Sequence, residues 1–351
     1  MIKIKTSFFR NIRLLSYKAA FFLILILLTG CSGSKSVITS NNTGSLRYSL
    51  ISIIHADANY LYHVDGDAKK ANDEALKQSI ETAQNAEHGE VFIFHQKSER
   101  RAFFLFPKKD RVFYHYRNGN LINKGKYSPV DGGLSAEAQI YQTYSAKKEL
   151  KEYLIYFGHE IPTFKDRQYH HSMPDMSFDT DIFASDLKKF STFFDVTILS
   201  TCNNGNPYMM EKLLSVTDVA VASPQNLHLS YMSMEKFDLL EKNASIPNPI
   251  FADFFAHQAF EKLSSNLSTM VTISTYWLSK FDEKLTGISQ LYEEHLTDTS
   301  VKPFFTDNID CESLELYSEP LHLYGMLVLY KPPAFGRSAN KKTHSGWGCK
   351  E

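Results

Sequence analysis

Apolar residues in this 351-residue chain gather into short unbroken runs set between longer stretches of mixed polarity. Leu50-Ile51-Ser52-Ile53-Ile54, Glu90–His95, Tyr153–Phe157, Val196–Leu199 and Asp218–Ala222 are such runs. Each is too short for a buried helix and rich in β-branched or aromatic residues, so each predicts a strand. The stretches Asp67–Ala86, Ser135–Leu150, Asp181–Phe190 and Pro207–Leu214 predict helices. Ala102–Phe106 and Val112–Tyr116, on either side of Pro107-Lys108-Lys109-Asp110, predict an antiparallel hairpin. Strand, helix, strand repeated in this order predicts an α/β fold, a mostly parallel sheet flanked by helices. From Leu229 onward the pattern turns helical, over Pro249–Leu263 and Trp277–Leu296. Met270–Thr275 is compatible with either state, and Leu321–Tyr330 predicts one late strand.

The amino terminus carries a different pattern. Lys3, Lys5, Arg10, Arg13 and Lys18 precede the apolar run Ala19–Leu28, short for a bilayer span but suited to the apolar region of an export signal. The run ends in Leu28-Thr29-Gly30-Cys31, which resembles a bacterial lipobox, with Cys31 the lipidated residue. Residues 1–31 are therefore expected to be a lipoprotein signal peptide and 32–47, rich in Ser, Asn and Gly, a flexible tether. The α/β core follows over 48–228, and 229–336 is a helical extension of the same domain. Residues 337–351 form a polar tail expected to be poorly ordered. This organisation predicts a lipid-anchored cell-envelope protein, on the outer membrane or cell surface rather than in the cytoplasm, touching the membrane through its N-terminal lipid.

Export implies an oxidising compartment. With Cys31 assigned to lipid, Cys202, Cys311 and Cys349 remain; Cys311 and Cys349 are the candidate disulfide, leaving Cys202 as a thiol. A formal net charge of −1 gives no electrostatic case for nucleic acid. No phosphate-binding glycine motif is present. His159-Glu160 does not extend to the H-E-x-x-H metal motif, because Thr163 stands where the second histidine belongs and Pro162 would break the helix. No metal or other cofactor is expected. His170-His171, in the long polar segment Ile161–Thr180, reads as a solvated pair, and that segment as a lid or specificity element. Asp57, Asn59, Asp65 and Asp67 read as turn chemistry. His344-Ser345-Gly346-Trp347-Gly348 lacks a preceding strand and reads as coincidence. Nothing in the sequence sets the oligomeric state.

Two strand ends carry candidate chemistry. Val196–Leu199 runs through Ser200 and Thr201 into Cys202, followed by the turn Asn203-Asn204-Gly205-Asn206-Pro207. Tyr153–Phe157 runs into Gly158-His159-Glu160. The two are 43 residues apart, room for one crossover helix between parallel neighbours. A thiol and an imidazole at adjacent strand tips are the parts of a nucleophile and its acid/base.

This order resembles the clan CD, caspase-like cysteine peptidases, most of all the clostripain and gingipain families. In those families one apolar strand ends at the catalytic histidine and a later one at the nucleophilic cysteine. Cys202-Asn203-Asn204-Gly205 resembles the gingipain-type cysteine turn, and Gly325–Pro332 is similar to the late clostripain strand. The resemblance implies a caspase-like sheet and hydrolysis of peptide or protein substrates by Cys202 and His159. It places Glu160, Gly158 and Asn203 near the oxyanion, and Ser200, Asp57 and Ser223 around the substrate pocket. Two positions depart from the pattern. Glu160 replaces a glycine; a left-handed backbone there would cost roughly 1–2 kcal/mol, and a carboxylate would disfavour a developing oxyanion. Ser200 replaces the aspartate that recognises a basic side chain. Either the specificity differs, or the scaffold is a catalytically inactive lipoprotein that binds a partner.

Overall fold

The computed structural model describes residues 44–56, 61–64, 67–97, 101–102, 106–107, 111–146, 149–164, 168–170, 173, 175–225, 233–266, 268–297, 308–310 and 325–350. The main sheet contains β1 (Tyr48–His55), β2 (Gly89–Gln96), β3 (Arg111–Arg117), β4 (Asn120–Tyr127), β5 (Lys151–Phe157), β6 (Phe194–Ser200), β7 (Thr217–Ala222), β8 (Val271–Trp277) and β9 (Met326–Lys331). The helices are α1 (Ala71–Asn85), α2 (Ser135–Tyr144), α3 (Thr180–Phe190), α4 (Pro207–Leu213), α5 (Asp238–Lys242), α6 (Asn248–Asn266) and α7 (Asp282–Thr297).

The strand order is β9-β8-β7-β6-β5-β1-β2-β3-β4. From β7 to β2 all neighbours are parallel. Antiparallel pairs flank this centre at both edges. Every residue of β1 and β2 is buried, as expected for central parallel strands covered on both faces. The two-residue side-chain period divides the core in two. Ile51, Ile53, Leu154, Tyr156 and Ala220 face α2, α3, α4 and α7. Leu50, Ile54, Ile155, Ile198 and Val221 face α1, α5 and α6. The result is an α/β sandwich whose parallel strands all present their carboxyl ends at one edge.

Several expectations need correcting. Val112–Tyr116 lies within β3, but its partners are β2 and β4 rather than Ala102–Phe106. The reason is Asn118-Gly119: with φ of 49° and 75° they make the left-handed two-residue turn that suits a hairpin. Arg101–Ala102 pairs instead with Phe106–Pro107. The first helix begins at Ala71, after the short strand Asp67–Lys70, and α2 ends at Tyr144. Val271–Thr275 of the ambiguous stretch lies in β8, which takes in Trp277, so α7 starts only at Asp282.

The tail is not loose. Trp347 is fully buried, its ring 4.7 Å from Tyr276 and 5.9 Å from Phe281. A single tryptophan among glycines and serines has no periodicity to announce it; the pocket that accepts it is built by β8 and the turn after it.

Candidate active site

The register of β5 and β6 sets the geometry. Ser200 pairs with Phe157 in parallel alignment. His159 and Cys202, each two residues farther on, therefore leave the sheet from adjacent strand tips. Neighbouring strands lie about 4.8 Å apart, so the two loops start side by side. Cys202 is a thiol, half-buried, between buried Thr201 and Asn203. His159 and Glu160 are half-buried as well.

The two loops are stitched together. Thr201 Oγ1 donates to Asn204 Oδ1 (2.6 Å), and the Ile161 amide donates to the same oxygen (3.0 Å). Asn204 Nδ2 returns a bond to the Ile161 carbonyl (2.9 Å). Asn203 Nδ2 donates to Glu160 Oε2 (2.7 Å). Asn203 sits in the left-handed region, φ 55°, which asparagine tolerates better than most residues. Asn206 Nδ2 donates to the Asn203 carbonyl (3.0 Å), while its Oδ1 caps α4 by accepting from the Met209 amide (2.9 Å). Each asparagine of the turn thus has its own task, and together they hold the cysteine at the mouth of a rigid loop.

Other assigned residues fall differently. Among the described residues the non-glycine positions with positive φ are Asn118 and Asn203, so Glu160 carries no left-handed strain, and its carboxylate is engaged by Asn203. The Gly158 amide donates to the Ser200 carbonyl (3.5 Å) and the Asn203 amide to the Gln225 carbonyl (3.1 Å). Both amides are turned into the scaffold rather than toward a substrate oxygen. Ser200 is 2 % exposed and Ser223 is fully buried. The Ser223 hydroxyl closes a turn, donating to the Gln225 carbonyl (3.1 Å) and accepting from its amide (3.2 Å). Both serines are buried, so neither offers an exposed hydroxyl. Asp57, Cys31 and Cys311 lie outside the described residues, as does the side chain of Cys349. The Cys349 backbone pairs with Ile309 in a short antiparallel ribbon.

The crevice between the tips of β1 and β5 is filled. His55, ending β1, is buried, with Nδ1 2.8 Å from the Tyr156 hydroxyl. The Tyr156 and Tyr169 hydroxyls are hydrogen-bonded to each other. Tyr169, His170 and Phe178 from the segment expected to be a lid pack around the His55 ring. His170 is therefore a core residue, fully buried with Nε2 2.6 Å from the Gly132 carbonyl, not a solvated one. Burial, then the charge of Arg111, then His170, push His55 well below the usual histidine range, so its ring stays neutral. Nothing in the local sequence announced this cluster, because its members come from distant stretches. Among the described residues no group of three His, Cys, Asp or Glu side chains could hold a metal ion.

A nine-stranded sheet with a parallel centre, antiparallel edges and helices on both faces defines a mixed α/β class. No family model matches the chain, and no curated protein matches it. Among solved structures it is similar to a secreted C11 cysteine protease from Bacteroides thetaiotaomicron in complex with an irreversible peptide inhibitor. The TM-score is 0.51 at 13 % identity, covering 71 % of this chain and 70 % of that one. Similar too is an inactive zymogen C11 protease from Parabacteroides distasonis (TM-score 0.47, 14 % identity, 69 % of this chain and 64 % of that one). A third is the secreted C11 cysteine protease "iotapain" from Bacteroides thetaiotaomicron (TM-score 0.46, 11 % identity, 72 % and 71 %). The first of these is a C11 (clostripain-like) cysteine protease of clan CD, and the caspase-like α/β fold is what this chain shares with it.

Proposed function

We propose that the protein is a cysteine peptidase in which Cys202 is the nucleophile and His159 the acid/base. The Cys202 thiolate attacks the peptide carbonyl carbon, and the carbonyl electrons move to oxygen. As the intermediate collapses the C–N bond breaks, His159 gives its proton to the leaving amine, and a thioester remains. Water, deprotonated by His159, then releases the acid and restores the thiol. One observation supports this reading: the Phe157–Ser200 register makes the strands that lead to His159 and Cys202 parallel neighbours, and both residues, two positions farther on, are half-buried. With Ser200 buried, no carboxylate stands where the clostripain pattern uses one for a basic side chain. Peptides with an uncharged residue before the scissile bond are therefore the first substrates to test. The lipobox-like Leu28–Cys31 supports a lipid-anchored enzyme of the cell envelope; Cys31→Ser is expected to move the protein from the membrane to the soluble fraction.

Hydrolysis of a broad peptide library by wild type, Cys202→Ala and His159→Ala tests the activity. Both variants are expected to lose it; full turnover by folded Cys202→Ala would overturn the assignment.

A further inference from the structure

We propose that the C-terminal segment from His344 to Lys350 is a positioning element for the nucleophile loop, holding Asn203 to Gly205 and through them the Cys202 thiol. The proposal rests on the Cys202–His159 reading. It starts from a sequence paradox: Asn203-Asn204-Gly205-Asn206 is polar and turn-prone, yet it must hold a thiol in one place, and fixing such a backbone costs conformational entropy.

The segment is tied to this loop directly, through Gly205, and indirectly, through Gln225. The Gly348 amide donates to the Gly205 carbonyl (3.0 Å). On the second route the Gln225 carbonyl accepts from the Asn203 amide (3.1 Å), and the Gln225 side-chain amide lies 3.1 Å from His344 Nε2. The Gln225 side chain is further fixed by Thr272 of β8, whose hydroxyl donates to Oε1 (2.7 Å). The segment is in turn anchored. Trp347 is fully buried, and the Gly346 carbonyl accepts from the Tyr276 hydroxyl (2.6 Å) and Ser274 Oγ (3.1 Å). His344 is buried and accepts the Gly346 amide at Nδ1 (2.9 Å). The last residues of the chain thus tie the turn after β6 to β8, two strands away, on both flanks of Asn204. A tail with only a packing role would bury Trp347 without ending in hydrogen bonds to the cysteine turn.

The test uses the full chain with His344→Ala, Trp347→Ala and Trp347→Phe. Peptide turnover, Cys202 alkylation by iodoacetamide and backbone amide exchange are read together. His344→Ala and Trp347→Ala are expected to lower kcat by at least about tenfold with KM within about twofold, since a small misplacement of reacting groups acts on the chemical step. Alkylation of Cys202 should slow, and exchange at residues 202–206 should rise while β1 stays protected. Trp347→Phe, which keeps a buried ring, should restore most of the rate. Unchanged kcat and alkylation in His344→Ala would overturn the proposal, as would exchange rising equally across β1 and β6. If Trp347→Ala does not fold, His344→Ala and Trp347→Phe decide. If wild type hydrolyses no peptide, the peptidase reading falls, while alkylation and exchange still decide the role of the tail.

Discussion

The bond between Asn203 Nδ2 and Glu160 Oε2 joins the residue after the thiol to the residue after the imidazole, and its removal makes a quantitative test. At 2.7 Å to a carboxylate it is charge-assisted, a type that contributes roughly 1.5–3 kcal/mol. Glu160 is only half-buried, so solvent screening reduces this to about 1–2 kcal/mol. Glu160→Ala is then expected to lower kcat/KM by about 5- to 30-fold. Glu160→Gln keeps an acceptor without the charge and should lose about half as much free energy. Asn203→Gly keeps the left-handed backbone at φ 55° while deleting the bridge, so it should match Glu160→Ala. Asn203→Ala adds a left-handed penalty of about 1 kcal/mol. The double variant Glu160→Ala/Asn203→Gly should be little worse than either single one, a coupling of about 1–2 kcal/mol. The assay is kcat/KM on one peptide together with the rate of Cys202 alkylation. Additive losses would refute the bridge. A faster Glu160→Ala would vindicate the opposite expectation, that a carboxylate here only opposes the oxyanion.

Three further outcomes follow from the packing. A Cβ on Gly205 would lie 2.6 Å from the Pro224 nitrogen and 2.7 Å from the Tyr276 hydroxyl, so Gly205→Ala should displace the cysteine turn and lower turnover by about 100-fold, measured beside a melting curve. Arg111 and Glu137 form a fully buried ion pair at 2.7 Å, with the Tyr127 hydroxyl on the same oxygen; Glu137→Ala removes the carboxylate that faces the buried guanidinium and should cost about 3–5 kcal/mol in urea unfolding. Burial, then the Lys97 charge, push His95 down to about 4. The unfolded chain therefore takes up this proton first, near pH 6.5, and stability falls as pH drops through that window. Between pH 7 and 5 the contribution is about 2 kcal/mol, and His95→Gln should flatten the pH dependence of the urea midpoint by that amount; an unchanged slope would refute it.

How far the sequence speaks differs from residue to residue. The central strands were readable because residues buried on both faces leave unbroken apolar runs, as in Tyr153–Phe157. The pairing of β5 with β6, the strands that lead to His159 and Cys202, followed from strand order and a crossover long enough for α3. The β3–β4 hairpin was also readable, from Asn118-Gly119, and was missed because the apolar pattern of Ala102–Phe106 offered a false partner. Glu160, His170 and Trp347 were not readable. What decides each is a contact across the fold: Asn203 for the carboxylate, Gly132 for the imidazole, Tyr276 for the indole. Polarity along the chain suggests solvent for such residues, and only the sheet edge shows otherwise.

The central claim is that Cys202 is a nucleophile activated by His159. Its most direct test is covalent labelling of the full-length protein by a peptidyl acyloxymethyl ketone, with the adduct located by peptide mass mapping. A single adduct on Cys202, lost in His159→Ala and blocked by competing peptide, is the expected result. No adduct on Cys202, or equal labelling in His159→Ala, would contradict it.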